Sequence, residues 1–203
     1  NVTNTIKTNK MIKNTINWTL SDNKLTLTKE FQNNTTENLS IYDLAGNKTD
    51  LKIEINNIDK TNPTANVTYS TQKSTTGTVT ATITTNEKIL AVEGWKLSDD
   101  FKILTKTYAK NMNEEITIYD LAGNSTKANI SIKNIDKNSP QAEINYSTTQ
   151  PTNKNVIVTI KSDEHLKEFK NWTLSEDKLS LSKEFEANTK EELTIYDIAG
   201  NEK

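Results

Sequence analysis

The feature that most limits the fold of this chain is an internal repeat of 77 residues. The three tryptophans are Trp18, Trp95 and Trp172, and both intervals are the same (95 − 18 and 172 − 95). A string of Asp, Leu or Ile, Ala, Gly and Asn recurs at the same interval, starting at Asp43, Asp120 and Asp197. A unit of 77 residues is longer than the repeats of solenoids, which have about 20 to 50 residues, and it can bury its own core. The chain is therefore predicted to be a series of small domains.

The repeat register divides the 203 residues into three copies. We place them at residues 1–59, 60–136 and 137–203, and only the middle copy is complete. The first copy lacks the segment that would form its first strand, and the third lacks the segment that would form its last. We expect these two gaps to be filled by further repeats of a longer chain or by a strand from a neighbouring subunit.

The apolar residues within one copy alternate with polar ones. Val79, Ala81 and Ile83 alternate with threonines, and residues 66–69, 104–108, 116–119 and 128–132 follow the same two-residue period. This period indicates half-buried strands, and turn-forming residues separate the runs every eight to twelve positions. The sequence therefore predicts an all-β protein of tandem antiparallel β-sandwiches, with about seven strands in each 77-residue repeat.

Structural roles follow for the residues that recur. Each tryptophan is predicted to lie in the core of its own module. The recurring string is predicted to form a hairpin turn, with glycine in the left-handed conformation and Asp and Asn bonded to the local backbone. The turn residues are Asp43, Gly46, Asn47, Asp120, Gly123, Asn124, Asp197, Gly200 and Asn201. Pro63 and Pro140 lie in short linkers and are expected to limit bending, so that the modules form an elongated rod.

Three parts of the sequence resemble the bacterial Ig-like repeats of Gram-positive surface proteins. They are residues 57–63 at the boundary, residues 95–98 in the middle of the repeat, and residues 119–124 near its end. The resemblance covers the whole chain. It implies an Ig-like sandwich and a role as a spacer, stalk or adhesive arm of a large cell-surface or secreted protein.

The composition argues against several kinds of chemistry. There is no Cys, all 25 basic residues are Lys, and the net charge is −2, so no thiolate site, nucleic-acid surface or membrane insertion is expected. The single His165 has Lys88 and Met11 at its positions in the other copies, which favours a surface residue over a catalytic base. No catalytic residue, cofactor or metal is predicted. Asp43, Asp120 and Asp197 could join nearby carboxylates to bind calcium, but no clustered acidic loop supports such a site.

We expect a non-enzymatic stalk or spacer segment of a large extracellular surface protein, adhesin or fibre. Its expected partners are neighbouring Ig-like repeats of the same or adjacent chains. The alternative is that the repeats themselves bind a glycan or a host surface protein as a multivalent adhesive module. Residues 7–16, 84–93 and 161–170 vary most among the copies, which suits either a binding loop or a tolerant one.

Overall fold

Alternating burial along the chain produces an all-β structure. The computed structural model describes residues 1–203, and every strand ladder is antiparallel. The all-β prediction is confirmed. No helix in the structure has the length and apolar character needed to cross a membrane.

The chain divides into two compact units. The first comprises Asn1–Asn62 and Leu121–Asn124, and the second comprises Pro63–Asp120 and Ser125–Lys203. Within the first unit the strands are β1 (Val2–Lys7), β2 (Thr19–Leu20), β3 (Thr26–Phe31), β4 (Thr35–Tyr42) and β5 (Lys48–Ile55). They form a sheet in the order β1-β3-β2 and a two-stranded sheet β4-β5.

The middle repeat contributes a complete module to the second unit. Its strands are β6 (Ala65–Tyr69), β7 (Val79–Thr85), β8 (Lys96–Leu97), β9 (Ile103–Tyr108), β10 (Met112–Tyr119) and β11 (Ser125–Ile132). One sheet has the order β6-β7-β9-β8, and β10 pairs with β11 in the other. The side chains that alternate inward from both sheets form one core cluster, which includes Trp95. This two-sheet arrangement is what the two-residue period of the sequence predicts.

The complete module has six strands, one fewer than the approximate number predicted. The difference lies in residues 86–95, where Ile89 forms only an isolated bridge with Asp120. The chain then turns, and the Trp95 N–H donates to the Val92 carbonyl at 3.1 Å. Gly94 has a positive φ of 76°, which a β-branched residue could not adopt without strain.

The third repeat keeps the four-stranded sheet of the middle one. Its strands are β12 (Ala142–Tyr146), β13 (Val156–Ser162), β14 (Thr173–Leu174) and β15 (Ser180–Phe185), in the order β12-β13-β15-β14. Residues 189–195, which match β10 in the register, form no strand. Its fully buried cluster contains only Ile160, Leu166, Leu181 and Ile195.

Candidate functional site

The recurring hairpin turn is built around a buried aspartate in the third module. Asp197 is fully buried, and its Oδ1 accepts from the backbone N–H groups of Gly200 at 2.6 Å and Asn201 at 2.8 Å. Its Oδ2 accepts from Asn201 Nδ2 at 2.7 Å. Gly200 has a φ of 105°, which places it in the conformation that favours glycine. The carboxylate therefore closes the turn.

The linker that follows β11, residues 133–141, is hydrogen-bonded to the middle module. Asn111 Nδ2 donates to the Ile135 carbonyl, and Asn111 Oδ1 accepts from the Ile135 N–H, each at 2.9 Å. The Thr75 N–H donates to the Asn134 carbonyl, and the Asp136 N–H donates to the Thr75 carbonyl, also at 2.9 Å. The asparagine amide thus satisfies both the N–H and the C=O of Ile135, as a neighbouring strand would.

The same linker is also tied to the third module. Asn201 Nδ2 donates to the Asp136 carbonyl at 3.2 Å, and Asp163 Oδ1 accepts from the Gln141 N–H at 2.8 Å. Pro140, between these two contacts, is buried. The second unit therefore holds its linker from both sides, and the turn that closes around Asp197 is one of the anchors.

The first unit repeats the asparagine contact in the 77-residue register. Asn34 Nδ2 donates to the Ile58 carbonyl at 2.9 Å, and Asn34 Oδ1 accepts from the Ile58 N–H at 2.8 Å. The N–H of Thr61 donates to Asp59 Oδ1 at 2.9 Å, which adds a local turn within the linker. The linker contact is thus a recurring part of the repeat.

Three carboxylates meet beside the linker of the second unit. One oxygen from each of Asp136, Glu164 and Asp197 lies within 4.8 Å of the others. Burial, together with the negative charges of Asp136, Asp197 and Asp163, raises the pKa of Glu164. Burial also acts to raise the pKa of Asp197, but its hydrogen bonds from Asn201 and Gly200 outweigh burial and lower it. Glu164 is therefore the carboxylate whose ionised form is disfavoured by the neighbouring negative charges.

This cluster is the part of the second unit that could hold a metal ion. It offers three oxygen ligands, which suit a hard cation such as Ca²⁺, although calcium takes six to eight. In the first module Lys10 occupies the register position of Glu164, and its Nζ lies 4.0 Å from Asp43 Oδ2. The first module thus places a positive charge beside its turn aspartate, where the third module has a third carboxylate.

Replacing Glu164 by glutamine is expected to stabilise the third module at pH 7. The raised pKa means that the native state loses stability as the pH rises through the folded-state pKa of Glu164, and glutamine removes this loss. The side chain is largely solvated, so screening should limit the gain to a few degrees in unfolding temperature. The gain should vanish below about pH 4, where the glutamate is neutral in both states.

Thermal unfolding in a chelator-containing buffer at pH 7 and at acidic pH measures this gain without a divalent cation on the carboxylates. A matched control is Glu176→Gln, at an exposed position of the same module. An unchanged or lower unfolding temperature for Glu164→Gln at pH 7 would contradict the repulsion.

A second recurring cluster joins a tryptophan, a lysine and a glutamate in each module. Trp18 Nε1 donates to Glu37 Oε1 at 3.0 Å, and Lys29 pairs with the same carboxylate. Lys29 Nζ also lies 5.8 Å from the Trp18 ring centroid and 5.0 Å from that of Phe31. The lysine hydrogen bond is the main cause of the lowered pKa of Glu37. The lysine therefore lies over the tryptophan ring while its charge is neutralised by the glutamate.

The middle module uses a different hydrogen bond in the same cluster. Tyr108 replaces phenylalanine, and its hydroxyl donates to Glu114 Oε2 at 2.7 Å, as does Lys106. Trp95 Nε1 faces this carboxylate but makes no hydrogen bond to it of acceptable geometry. Burial acts to raise the pKa of Glu114, but the Lys106 and Tyr108 hydrogen bonds lower it overall. In this module the carboxylate is therefore bound by the tyrosine hydroxyl and the lysine.

The third module contains the same group in a more open setting. Trp172 Nε1 lies 3.4 Å from Glu191 Oε1, and Lys183 Nζ lies 2.7 Å from Glu191 Oε2. Its tryptophan is half-buried, whereas Trp18 and Trp95 are buried. In each of the three clusters the lysine pairs with the glutamate of the same module. These side chains therefore help to hold the tryptophan in place within its own module.

The residues singled out from the sequence occupy distinct places. Gly46, Gly123 and Gly200 all have positive φ, at 96°, 92° and 105°. Pro63 is buried, like Pro140, and His165 is exposed. The structure brings Asp197 and Asn201 together at the turn, as it does Asp43 and Asn47, whose N–H donates to Asp43 Oδ1 at 2.8 Å. Asn111, Glu164 and the lysine–glutamate pairs were not singled out from the sequence.

Comparison of the chain with protein-family models, with curated proteins and with solved structures gave no match.

Proposed function

We propose that this chain is a non-enzymatic stalk or spacer segment of a large extracellular surface protein, adhesin or fibre, built from tandem Ig-like β-sandwiches. The assignment to the bacterial Ig-like repeats and to the cell surface rests on the sequence resemblance. The proposed partners are neighbouring repeats of the same kind, in the same chain or in an adjacent one.

One observation carries the stalk proposal, namely the way the linker of the second unit is held. Asn111 binds Ile135 from one side, and Asn201 and Asp163 bind Asp136 and Gln141 from the other. A binding module on a flexible tether has no need of such contacts, whereas a spacer must keep its length. The repetition of the asparagine contact at Asn34 and Ile58 supports the same role in the first unit.

The repeated charged residues support a structural role over catalysis. A catalytic base needs a substrate-facing position, but Lys29, Lys106 and Lys183 each pair with a glutamate of their own module. The exposed His165 is replaced by Lys88 and Met11 in the other copies. The recurring polar residues are thus used to hold each sandwich.

Small-angle scattering tests the spacer role. A module of this size should span roughly 35 to 40 Å, from strands that rise about 3.3 Å per residue plus their turns. Three modules with stiff linkers should therefore give a maximum dimension near 100 Å, by the same strand-length reckoning. An Asn111→Ala variant, which removes both hydrogen bonds to the Ile135 backbone, should broaden the distance distribution. A compact globe, or an unchanged distribution in the variant, would count against the stalk.

The alternative adhesive role is favoured by exposed apolar side chains on the variable segments. Ile16 is 86% exposed, and Met11 and Leu90 are also exposed. Apolar side chains presented in this way are available to a glycan or a protein partner. A glycan array and a pull-down with the 203-residue chain separate the two roles, because saturable binding that is lost in Ile16→Ser would favour the adhesive one.

A further inference from the structure

The middle module carries an exposed apolar patch, the Leu90 patch, which consists of Leu90, Phe101 and Tyr119. These side chains are 47%, 48% and 48% exposed. The Leu90 N–H donates to the Tyr119 carbonyl at 2.8 Å, and the N–H of the preceding Ile89 donates to the Phe101 carbonyl, also at 2.8 Å. Ile89 and Asp120 form a bridge and are both buried. Because side chains alternate along extended chains, Leu90 and Tyr119 both point outward.

The fold does not require an apolar side chain at the position of Leu90. The other two copies have Lys13 and Lys167 there, and both are exposed. Their N–H groups make the same backbone hydrogen bond, to the Tyr42 carbonyl at 2.9 Å and to the Tyr196 carbonyl at 2.8 Å. A lysine therefore supports the same local structure, and the leucine is not part of the core cluster.

The fold does not require an aromatic ring at the position of Phe101 either. Phe101 has a φ of 62°, the left-handed conformation, which is unfavourable for a bulky side chain. Lys24 and Lys178 occupy the same turn position with φ of 56° and 57°, so the turn needs the conformation but not the ring. The middle copy thus replaces two exposed lysines by two exposed apolar residues beside Tyr119. Clustered apolar exposure that the fold does not need indicates contact with a partner.

The size of the Leu90 patch argues for an occupant with a small footprint. Three half-exposed side chains offer a few hundred Å² at most, whereas each partner in a stable protein complex buries about 800 Å². A folded protein domain or a second copy of this chain is therefore disfavoured. Strand addition is disfavoured as well, because the N–H groups of Ile89 and Leu90 are already hydrogen-bonded within the module.

The charges around the Leu90 patch favour an uncharged occupant. Lys88 Nζ lies 5.9 Å from the Phe101 ring centroid, so the place where a cation of the ligand would stack is already taken. An anion is disfavoured, because the two lysines of the other copies are missing and the exposed Asp99 and Asp100 immediately precede Phe101. What remains is a set of apolar faces, with the Tyr119 hydroxyl and the Lys88 ammonium as hydrogen-bond donors.

We propose that the Leu90 patch binds a neutral carbohydrate. One face of a pyranose ring carries C–H groups that pack against apolar and aromatic side chains, and its hydroxyl groups remain at the rim. Tyr119 and Lys88 offer donors to these hydroxyl groups, in the way that a few polar groups orient a ligand on an apolar surface. This site goes beyond the spacer role and is independent of it.

Saturation-transfer NMR on the 203-residue chain tests the proposal with neutral oligosaccharides of glucose, galactose, mannose and N-acetylglucosamine. At least one of them should bind saturably, with a Kd of about 0.1 to 10 mM for so open a site. The double variant Leu90→Lys, Phe101→Lys should bind at least about tenfold more weakly, because it removes two of the three apolar contacts. Its unfolding temperature and its maximum dimension in scattering should match those of the parent chain, since the other copies carry these lysines.

The first module offers a matched control in which binding is gained. Met11→Lys, Lys13→Leu and Lys24→Phe together place the residues of the Leu90 patch beside Tyr42, and the number of sites per chain should rise from one to two. An unchanged number of sites, or equal binding by the parent chain and the double variant, would overturn the proposal. So would the absence of binding by all four sugars up to their solubility limits, or tighter binding of sialyllactose or of a proline-rich peptide.

Discussion

Replacing Trp95 by alanine is expected to destabilise the middle module by about 3 to 5 kcal/mol. Trp95 is 7% exposed and packs edge-on against Tyr108, with ring centroids 6.4 Å apart. The change leaves a cavity between the two sheets and removes the ring beneath Lys106 Nζ, which lies 5.7 Å from its centroid. A domain of this size has a total stability of about 4 to 12 kcal/mol, so a large part of it would be lost.

Hydrogen exchange in β7 and β9 measures this loss in the module concerned. Trp172→Ala is the matched control, because the same residue at the same register position is only half-buried. Its loss should be clearly smaller than that of Trp95→Ala. Equal losses would mean that the degree of burial does not set the contribution of the tryptophan, and no loss at Trp95 would remove it from the core.

The Asp197→Ala variant is expected to destabilise the third module by about 3 to 5 kcal/mol. Three donors would lose their acceptor, namely the N–H groups of Gly200 and Asn201 and the Asn201 side-chain amide. Each buried donor without a partner costs about 1 to 3 kcal/mol, although water reaching the opened turn offsets part of the sum. Asp197→Asn should lose less, because it keeps the oxygen that accepts two of the bonds.

A comparison with Glu164 separates the effect of lost hydrogen bonds from the effect of lost charge, because Glu164 and Asp197 lie in the same cluster. Asp197→Ala and Glu164→Gln each remove one negative charge from the same cluster, but only the first removes hydrogen-bond acceptors. The two substitutions should therefore change the unfolding temperature in opposite directions in denaturation experiments at pH 7. If Asp197→Ala raised it, charge repulsion would outweigh the hydrogen bonds of the turn.

The longer strands could be predicted from the sequence because the burial of side chains along a strand has a period of two residues. The alternation at Val79, Ala81 and Ile83 predicted β7, and these three side chains are fully buried. The two-residue strands β2, β8 and β14 are too short to show a period, so only the tryptophan just before each one marked their place. Residues 86–95 carry apolar positions such as Ile89 but turn after a single bridge, which explains the overestimated strand number.

The contacts of the candidate site were harder to predict because they join common residue types across the repeat. Asn34, Asn111 and Asn188 do recur at the 77-residue interval, as do Lys29, Lys106 and Lys183. In a chain so rich in Asn and Lys, recurrence alone does not separate a linker contact from a solvated position. The meeting of Asp136, Glu164 and Asp197 depends on the path of the linker, which no local pattern encodes.

The way Asn111 holds Ile135 also determines how the second unit would respond to a pulling force. Tension applied beyond the linker meets six hydrogen bonds at residues 134–136. Two join the Asn111 side chain, two join the Thr75 backbone, and two run from Asn134 Nδ2 to the carbonyls of Thr71 and Lys73. These bonds lie in the chain path after β11, which ends at Ile132. They must therefore break before the load reaches the strand that closes the core. We therefore expect the asparagine to act as a mechanical clamp, so that these bonds and the buried Ile135 side chain resist the load before β11 does.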